Sequence, residues 1–367
     1  MRRSCARSWA VVALLGAGCA ALERPTLPRP QFIGRFDYSD PAGPRFSWAG
    51  TAIVARFYGT DLDVRLRETS GGTDRAGNPH RNHYQVWVDG TPTEVLVANP
   101  DRERYPVARG LSMGEHTVML TKRTEPLVGE GQFLGFELPN GGYLLPPPQR
   151  PALRMEFIGD SIVAGYGVEG EDRFCGFSAG TQNHGAAYGA LAARMLGAEQ
   201  ITIAWSGTGI WRNYDGSFEH TMPELYSLAR APSTAQWDFA RWTPHIVAIH
   251  LGTNDFARTN VDRRAFVSSY LKFLESVRSK YPDAHILVLM GPMLTDTFPT
   301  GQASKTLART YLNEVVDTAR AAGDDQLSFL EFPEQGNDYG CDWHPSKSRQ
   351  ARMANTLVNE IRSRLIW

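Results

Sequence analysis

The sequence predicts an α/β chain in two parts, an antiparallel β-sandwich of the jelly-roll kind over 31–145 and then a three-layer α/β/α domain with a parallel sheet over 152–367. Three observations lead there. Before residue 146, short runs alternating apolar with polar residues are split by turn residues such as Gly59-Thr60 and Asp89-Gly90, the pattern of half-buried strands. The segment Pro146-Pro147-Pro148-Gln149-Arg150-Pro151 reads as a stiff, extended linker. Beyond it, continuous apolar runs alternate with helical patterns, as in a sheet covered on both faces. A length of 367 residues, 42% of them hydrophobic and 21% charged, is globular in proportion and favours two domains over one.

The chain opens on a predicted signal segment over 1–20. Arg2, Arg3 and Arg7 precede an apolar run at 9–17, and small residues follow. The run is too short to span a bilayer as a helix. Small residues at Gly18, Ala20 and Ala21 suit signal cleavage, while Leu15-Gly-Ala-Gly-Cys19 resembles a bacterial lipobox with its leucine one position early. The expectation is therefore export, to periplasm, outer surface or medium, either as a soluble protein or with a lipid anchor at Cys19. Cleavage before Cys19 removes three arginines and no acid, taking the net charge from −1 to −4. Such a balance offers no basic footprint for a phosphate backbone, so nucleic acid is not an expected partner.

Sandwich strands are expected at 46–48, 52–58, 62–66, 84–88, 94–97, 116–120 and 133–138. The parallel strands are expected at 154–158, 201–204, 245–251, 285–290 and 327–330. Helices follow at 262–280, where Phe266, Tyr270, Phe273, Leu274 and Val277 share one face, and at 303–322 and 346–365. Ligands of such sheets sit beyond the carboxyl ends of the strands, so the chemistry is sought there.

The first parallel run ends in Phe157-Ile-Gly-Asp-Ser161, the second in Trp205-Ser-Gly207, and the third in His250-Leu-Gly-Thr-Asn254-Asp255; the fifth leads to Tyr339-Gly-Cys-Asp342-Trp-His344. A serine hydroxyl becomes nucleophilic when a base such as His344 takes its proton, and the tetrahedral oxyanion formed on an ester needs donors aimed at it. The main-chain N–H groups of Ser161 and Gly207 and the side-chain amide of Asn254 are candidates. Taken singly, each residue has a plainer reading: Gly-Asp-Ser as a turn, Asn254-Asp255 as a cap on the next helix, His344 as a loop histidine. Their placement on successive strand ends argues for catalysis.

The blocks Gly159-Asp160-Ser161, Gly207, Gly252-Thr-Asn254-Asp255 and Asp342-Trp-His344 resemble the SGNH hydrolase superfamily. With the preceding sandwich, the blocks at 159–167, 187–194, 212–216, 291–294 and 340–345 resemble carbohydrate esterase family 2 more narrowly. That resemblance implies a flavodoxin-like SGNH hydrolase domain and an exported acetylesterase acting on an acetylated polysaccharide such as xylan or glucomannan, with no metal or cofactor. It implies Ser161 as nucleophile, His344 as base then acid, and Ser161, Gly207 and Asn254 as the oxyanion hole. Asp342 is implied as a third catalytic member orienting His344. The wider superfamily has its aspartate three residues before the histidine, where this chain has Cys341, and a serine–histidine dyad held by a backbone carbonyl is the family's other form. Tyr214 and Trp211 are implied as a substrate platform, with packing against a loop as the alternative.

Of the four cysteines, Cys5 and Cys19 fall in the signal region. An exported chain permits a Cys175–Cys341 disulfide tying the loop after the nucleophile to the histidine loop; two separate buried thiols are the alternative. His80 and His83 are the nearest thing to a metal pair, in a Gly/Asn/Pro-rich loop where solvated histidines are the plainer reading. Two other functions stay open: a lipase or thioesterase of the same superfamily, and a carbohydrate-binding protein with a vestigial site. Oligomeric state is not readable.

Overall fold

The computed structural model describes residues 28–73 and 77–364. The signal segment and Cys19 lie outside the described residues. Ahead of the proline run come β1 (Gln31–Ile33), β2 (Arg45–Phe46), β3 (Ala52–Gly59), β4 (Leu62–Ser70), β5 (His83–Val88), β6 (Thr91–Val97), β7 (Arg104–Ala108), β8 (Gly114–Lys122), β9 (Gly129–Glu137) and β10 (Tyr143–Leu145). They build two antiparallel sheets: β1-β3-β8-β5-β6 with β10 also on β3, and β2-β9-β4-β7.

Alternation sets the inner faces. Leu62, Val64 and Leu66 of β4 pack with Tyr84 and Val86 of β5 and with Val118 and Leu120 of β8 in one core. The β5–β6 hairpin turns on Asp89 and Gly90, at φ 50 and 78, the left-handed pair that suits the twist of a two-residue connection. Strands β1, β7 and β10 escape the sequence reading. The first and last have three residues each, and β7, Arg-Tyr-Pro-Val-Ala, carries Pro106 on the edge of its sheet, where a missing donor is tolerated. The strand expected at 46–48 is instead Arg45–Phe46.

The second half contains β11 (Arg154–Gly159), β12 (Glu199–Ala204), β13 (Ile246–His250), β14 (His285–Met290) and β15 (Leu327–Glu331), with helices α1 (Ser161–Ala164), α2 (Tyr188–Met195), α3 (Met222–Leu225), α4 (Arg263–Lys280), α5 (Ser304–Ala321) and α6 (Lys347–Arg364). All five strands are parallel, in the order β12-β11-β13-β14-β15. Val247 and Ile249 pack on one face with Phe266, Tyr270 and Phe273 of α4 and Leu312 and Val315 of α5. Ile246 and Ala248 face the other way, onto Tyr188 and Ala192 of α2 and Met353, Leu357 and Ile361 of α6. Three layers result. The chain reverses direction across the sheet at β11, between β12 and β13, which opens the crevice where such folds hold ligands.

The two halves share buried contacts. Trp48 of the first half belongs to the β13/α4 core. Arg35 pairs with Glu156 of β11 at 3.0 Å with both side chains fully buried, and Tyr226 donates to the same carboxylate at 2.7 Å.

Candidate active site

Strand β11 leads to Ser161, the candidate nucleophile. A Cβ on its last residue, Gly159, would lie 2.7 Å from His250 O, so the close approach to β13 needs glycine. Asp160 then caps α1, accepting from Ile162 N at 3.0 Å. Ser161 is the first residue of that helix, where an N–H has no intrahelical acceptor. Burial raises Asp160 to about 7, with Asp255 nearby adding to the rise.

His344 Nε2 lies 2.8 Å from Ser161 Oγ. On the other side of the ring, Nδ1 faces the carbonyl oxygens of Asp342 at 3.0 Å and Cys341 at 3.2 Å. A nitrogen between two carbonyls must carry the proton, so Nε2 is the free base and accepts from the serine. Desolvation holds the imidazole down at about 4, against the upward pull of those two carbonyls and of the Asp342 charge.

The expectation that Asp342 orients His344 is corrected by this geometry. Its carboxylate accepts from the Tyr166 hydroxyl at 2.6 Å, and only its main-chain oxygen meets the imidazole. The reason lies in the backbone: Asp342 and Trp343 both adopt left-handed conformations, at φ 49 and 58, which costs ~1–2 kcal/mol per residue. This tight turn aims successive carbonyls at Nδ1 and sends the carboxylate elsewhere.

Several contacts hold the turn. Cys341 is bonded to Cys175 with Cα atoms 4.7 Å apart. Asp342 N donates to Cys175 O at 3.0 Å, and Cys341 N to Gly167 O at 3.0 Å. A Cβ at Gly170 would come within 2.8 Å of Cys175 Sγ. Tyr166 also stacks on the His344 ring at 4.1 Å, and Phe177 packs against Tyr166 at 4.9 Å.

Gly207 and Asn254 reach the same rim. Asn254 is buried, and its Nδ2 donates to Thr208 O at 2.8 Å, leaving a second proton with only a 3.4 Å contact to Asp160, long for a hydrogen bond. Gly207 has φ 84, and among the described residues its N–H has no acceptor. Asp255 does not cap α4, whose cap is Asp262. It accepts instead from the main-chain N–H groups of Ile210, Trp211 and Arg212 at 3.0, 2.8 and 2.9 Å, fixing the loop beyond Gly207.

The structure separates the two platform candidates. Tyr214 is 62% exposed, with its N–H on Gly207 O at 2.8 Å. Trp211 is partly buried against the α4 core and packs on Phe218. Trp343, 49% exposed beside His344, and Tyr166 were missed; each is a lone aromatic in a glycine-rich or turn segment with no periodicity to flag it. His80 packs edge-on against Phe177 and His83 Nδ1 faces Arg81 O at 2.9 Å. Among the described residues no group of three or more His, Cys, Asp or Glu is arranged to hold a metal, and no helix is long and apolar enough to cross a membrane.

Residues 32–148 match the carbohydrate esterase 2 N-terminal family and 157–352 the GDSL-like lipase/acylhydrolase family. The chain is 39% identical to the cellulase/esterase CelE of Acetivibrio thermocellus over 92% of its own length, and spans only 39% of that protein. It is 28% identical to an acetylxylan esterase/glucomannan deacetylase of Cellvibrio japonicus, over 93% of each. A solved family two carbohydrate esterase from Clostridium thermocellum in complex with cellohexaose superposes with a TM-score of 0.85 at 39% identity, covering 92% of this chain and 99% of that one. With both halves matched in order and the serine–histidine pair at the sheet's switch point, the chain belongs to carbohydrate esterase family 2, a family of carboxylic ester hydrolases.

Proposed function

We propose that the protein is an exported carbohydrate O-acetylesterase that removes acetyl groups from plant-wall polysaccharides such as xylan and glucomannan, using a Ser161–His344 dyad. The observation that supports this most is the 2.8 Å contact between Ser161 Oγ and a His344 Nε2 left unprotonated by the carbonyls on Nδ1. Ser161 Oγ attacks the acetyl carbonyl carbon as its proton passes to Nε2. The carbonyl electron pair moves onto oxygen, where the Ser161 and Gly207 amides and the second Asn254 proton stabilise it; each such donor is worth ~10²–10³ in turnover. Collapse breaks the bond to the sugar oxygen, which takes the proton from Nε2. Water, deprotonated by the same nitrogen, then attacks the acetyl-serine carbonyl; collapse releases acetate, and Ser161 Oγ takes its proton back from Nε2. The Nδ1–H stays on main-chain carbonyl dipoles throughout.

Exposed Tyr214 and Trp343 offer flat faces on which a neutral sugar ring can stack. A net charge of −1, or −4 after signal removal, suits an uncharged glycan. The relative's complex with cellohexaose supports a β-linked glycan chain in this cleft. Export rests on the segment 1–20, with soluble release and a Cys19 anchor as its two forms. The test is acetate release from acetylated xylan and glucomannan, alongside p-nitrophenyl acetate and a long-chain ester. The reading expects release from a polysaccharide, preference for the acetyl ester, and loss in Ser161→Ala. Preference for the long chain would favour a lipase, and binding without turnover a vestigial site.

A further inference from the structure

The loop carrying Gly207 is anchored from the other half of the molecule. Ser206, directly before it, donates its main-chain N–H to Glu125 Oε2 at 2.6 Å and its hydroxyl to Glu125 Oε1 at 2.5 Å. Glu125 follows β8 in the sandwich half, 81 residues away in sequence, and is fully buried. Gln182 Nε2 gives the carboxylate a third hydrogen bond, to Oε1 at 2.8 Å, and Gln182 Oε1 accepts from Glu125 N at 3.3 Å. Buried Lys122 donates to the carbonyls of Thr124 at 2.8 Å and Glu125 at 3.2 Å, fixing the backbone from which the carboxylate projects.

The Gly207 N–H belongs to the Ser206–Gly207 peptide, whose plane sets where it points. Glycine at φ 84 imposes little restraint of its own, so the direction must come from the neighbours. On one side the Gly207 carbonyl is held by Tyr214 N at 2.8 Å; on the other, Ser206 is held twice by Glu125. A buried carboxylate is a costly way to seal an interface unless its hydrogen bonds are fully used, and charge-assisted bonds of this length are the strong, geometrically restrictive kind.

We propose that Glu125 is a positioning residue for the oxyanion hole: the sandwich half supplies the carboxylate that pins Ser206 through its N–H and its hydroxyl, and so restricts how the Ser206–Gly207 peptide that follows can turn. The inference rests on Gly207 acting as an oxyanion donor. Full-length Glu125→Ala, Glu125→Gln, Ser206→Ala and Ser161→Ala are compared on p-nitrophenyl acetate and for inhibition by phenylboronic acid, whose tetrahedral adduct on the serine needs the same donors. For Glu125→Ala, kcat should fall about ten- to a hundredfold, with boronate binding weakened by a similar factor. KM should stay within about twofold, and Glu125→Gln, which can still accept from Ser206 N, should recover most of the loss. A folded Glu125→Ala protein with wild-type kcat and boronate affinity overturns the inference. If that variant lacks a cooperative melt, Ser206→Ala decides: a several-fold fall in both quantities supports the inference, and wild-type values overturn it. Retained activity in Ser161→Ala would instead strike the nucleophile assignment itself.

Discussion

Asp342 hands its carboxylate to the Tyr166 hydroxyl at 2.6 Å, while the Tyr166 ring stacks on His344 at 4.1 Å. The aspartate thus acts on the histidine through a tyrosine and through its own main-chain carbonyl, not by a carboxylate–imidazole bond. Replacing Asp342 by Asn keeps an acceptor for Tyr166 and leaves both carbonyls in place. The kcat of Asp342→Asn on an acetyl ester should fall less than about tenfold, where a carboxylate-oriented triad loses ~10⁴-fold. A loss of that larger size would show that the carboxylate reaches Nδ1 during turnover.

The pH profile follows from burial of the imidazole. Desolvation brings His344 to about 4, so the neutral base persists well below the ordinary histidine value of 6.5. The acid limb of kcat/KM should therefore bend near pH 4, with activity at pH 5 close to that at pH 7; a bend near 6.5 would contradict this. Stability has its own slope. His184 and His250 are held at about 3 by burial, so between about 6.5 and 3 the unfolded chain binds protons there that the folded one refuses, and stability drops as pH falls. Asp160, raised to about 7 from 3.8, opposes this over its own window by holding a proton in the folded state.

The Cys175–Cys341 bridge closes a separation of 166 residues, for which chain-entropy reasoning gives roughly 4–5 kcal/mol as an upper figure. Paired serine substitutions should lower the melting temperature and also kcat, because the bridge anchors the 341–343 turn whose carbonyls orient His344. Unchanged melting and kcat in the double variant would show the turn to be self-supporting.

Arg35 and Glu156 join the two halves in full burial, with rings of Tyr226, Trp237 and Phe239 about the guanidinium. Arg35→Met leaves a buried carboxylate without its cation and should cost ~3–5 kcal/mol in urea unfolding. The double variant Arg35→Met/Glu156→Gln should recover part of that loss. Equal losses in both would mean that the ion pair is not what the single change disrupts.

The strand ends were legible because each candidate follows a long apolar run, and a parallel sheet aims all such ends at one rim; Ser161 and His344 meet there although 183 residues separate them. The resemblance left Asp342 open between a triad member and a bystander to a dyad, since a motif says nothing of the left-handed backbone that turns the carboxylate away. Glu125 carried no signal at all: its partner Ser206 is brought to it only by the docking of two halves. Strand β7 was hidden by a proline that an edge position tolerates.

In the proposed mechanism Ser161 carries the acetyl group between its two transfers. Acid quenching during steady-state turnover of p-nitrophenyl acetate, followed by peptide mass spectrometry, tests it most directly. One added acetyl group on the peptide containing Ser161, absent from the Ser161→Ala protein along with its activity, is the expected result. Turnover persisting in Ser161→Ala, or the acetyl group found on another side chain, would contradict it.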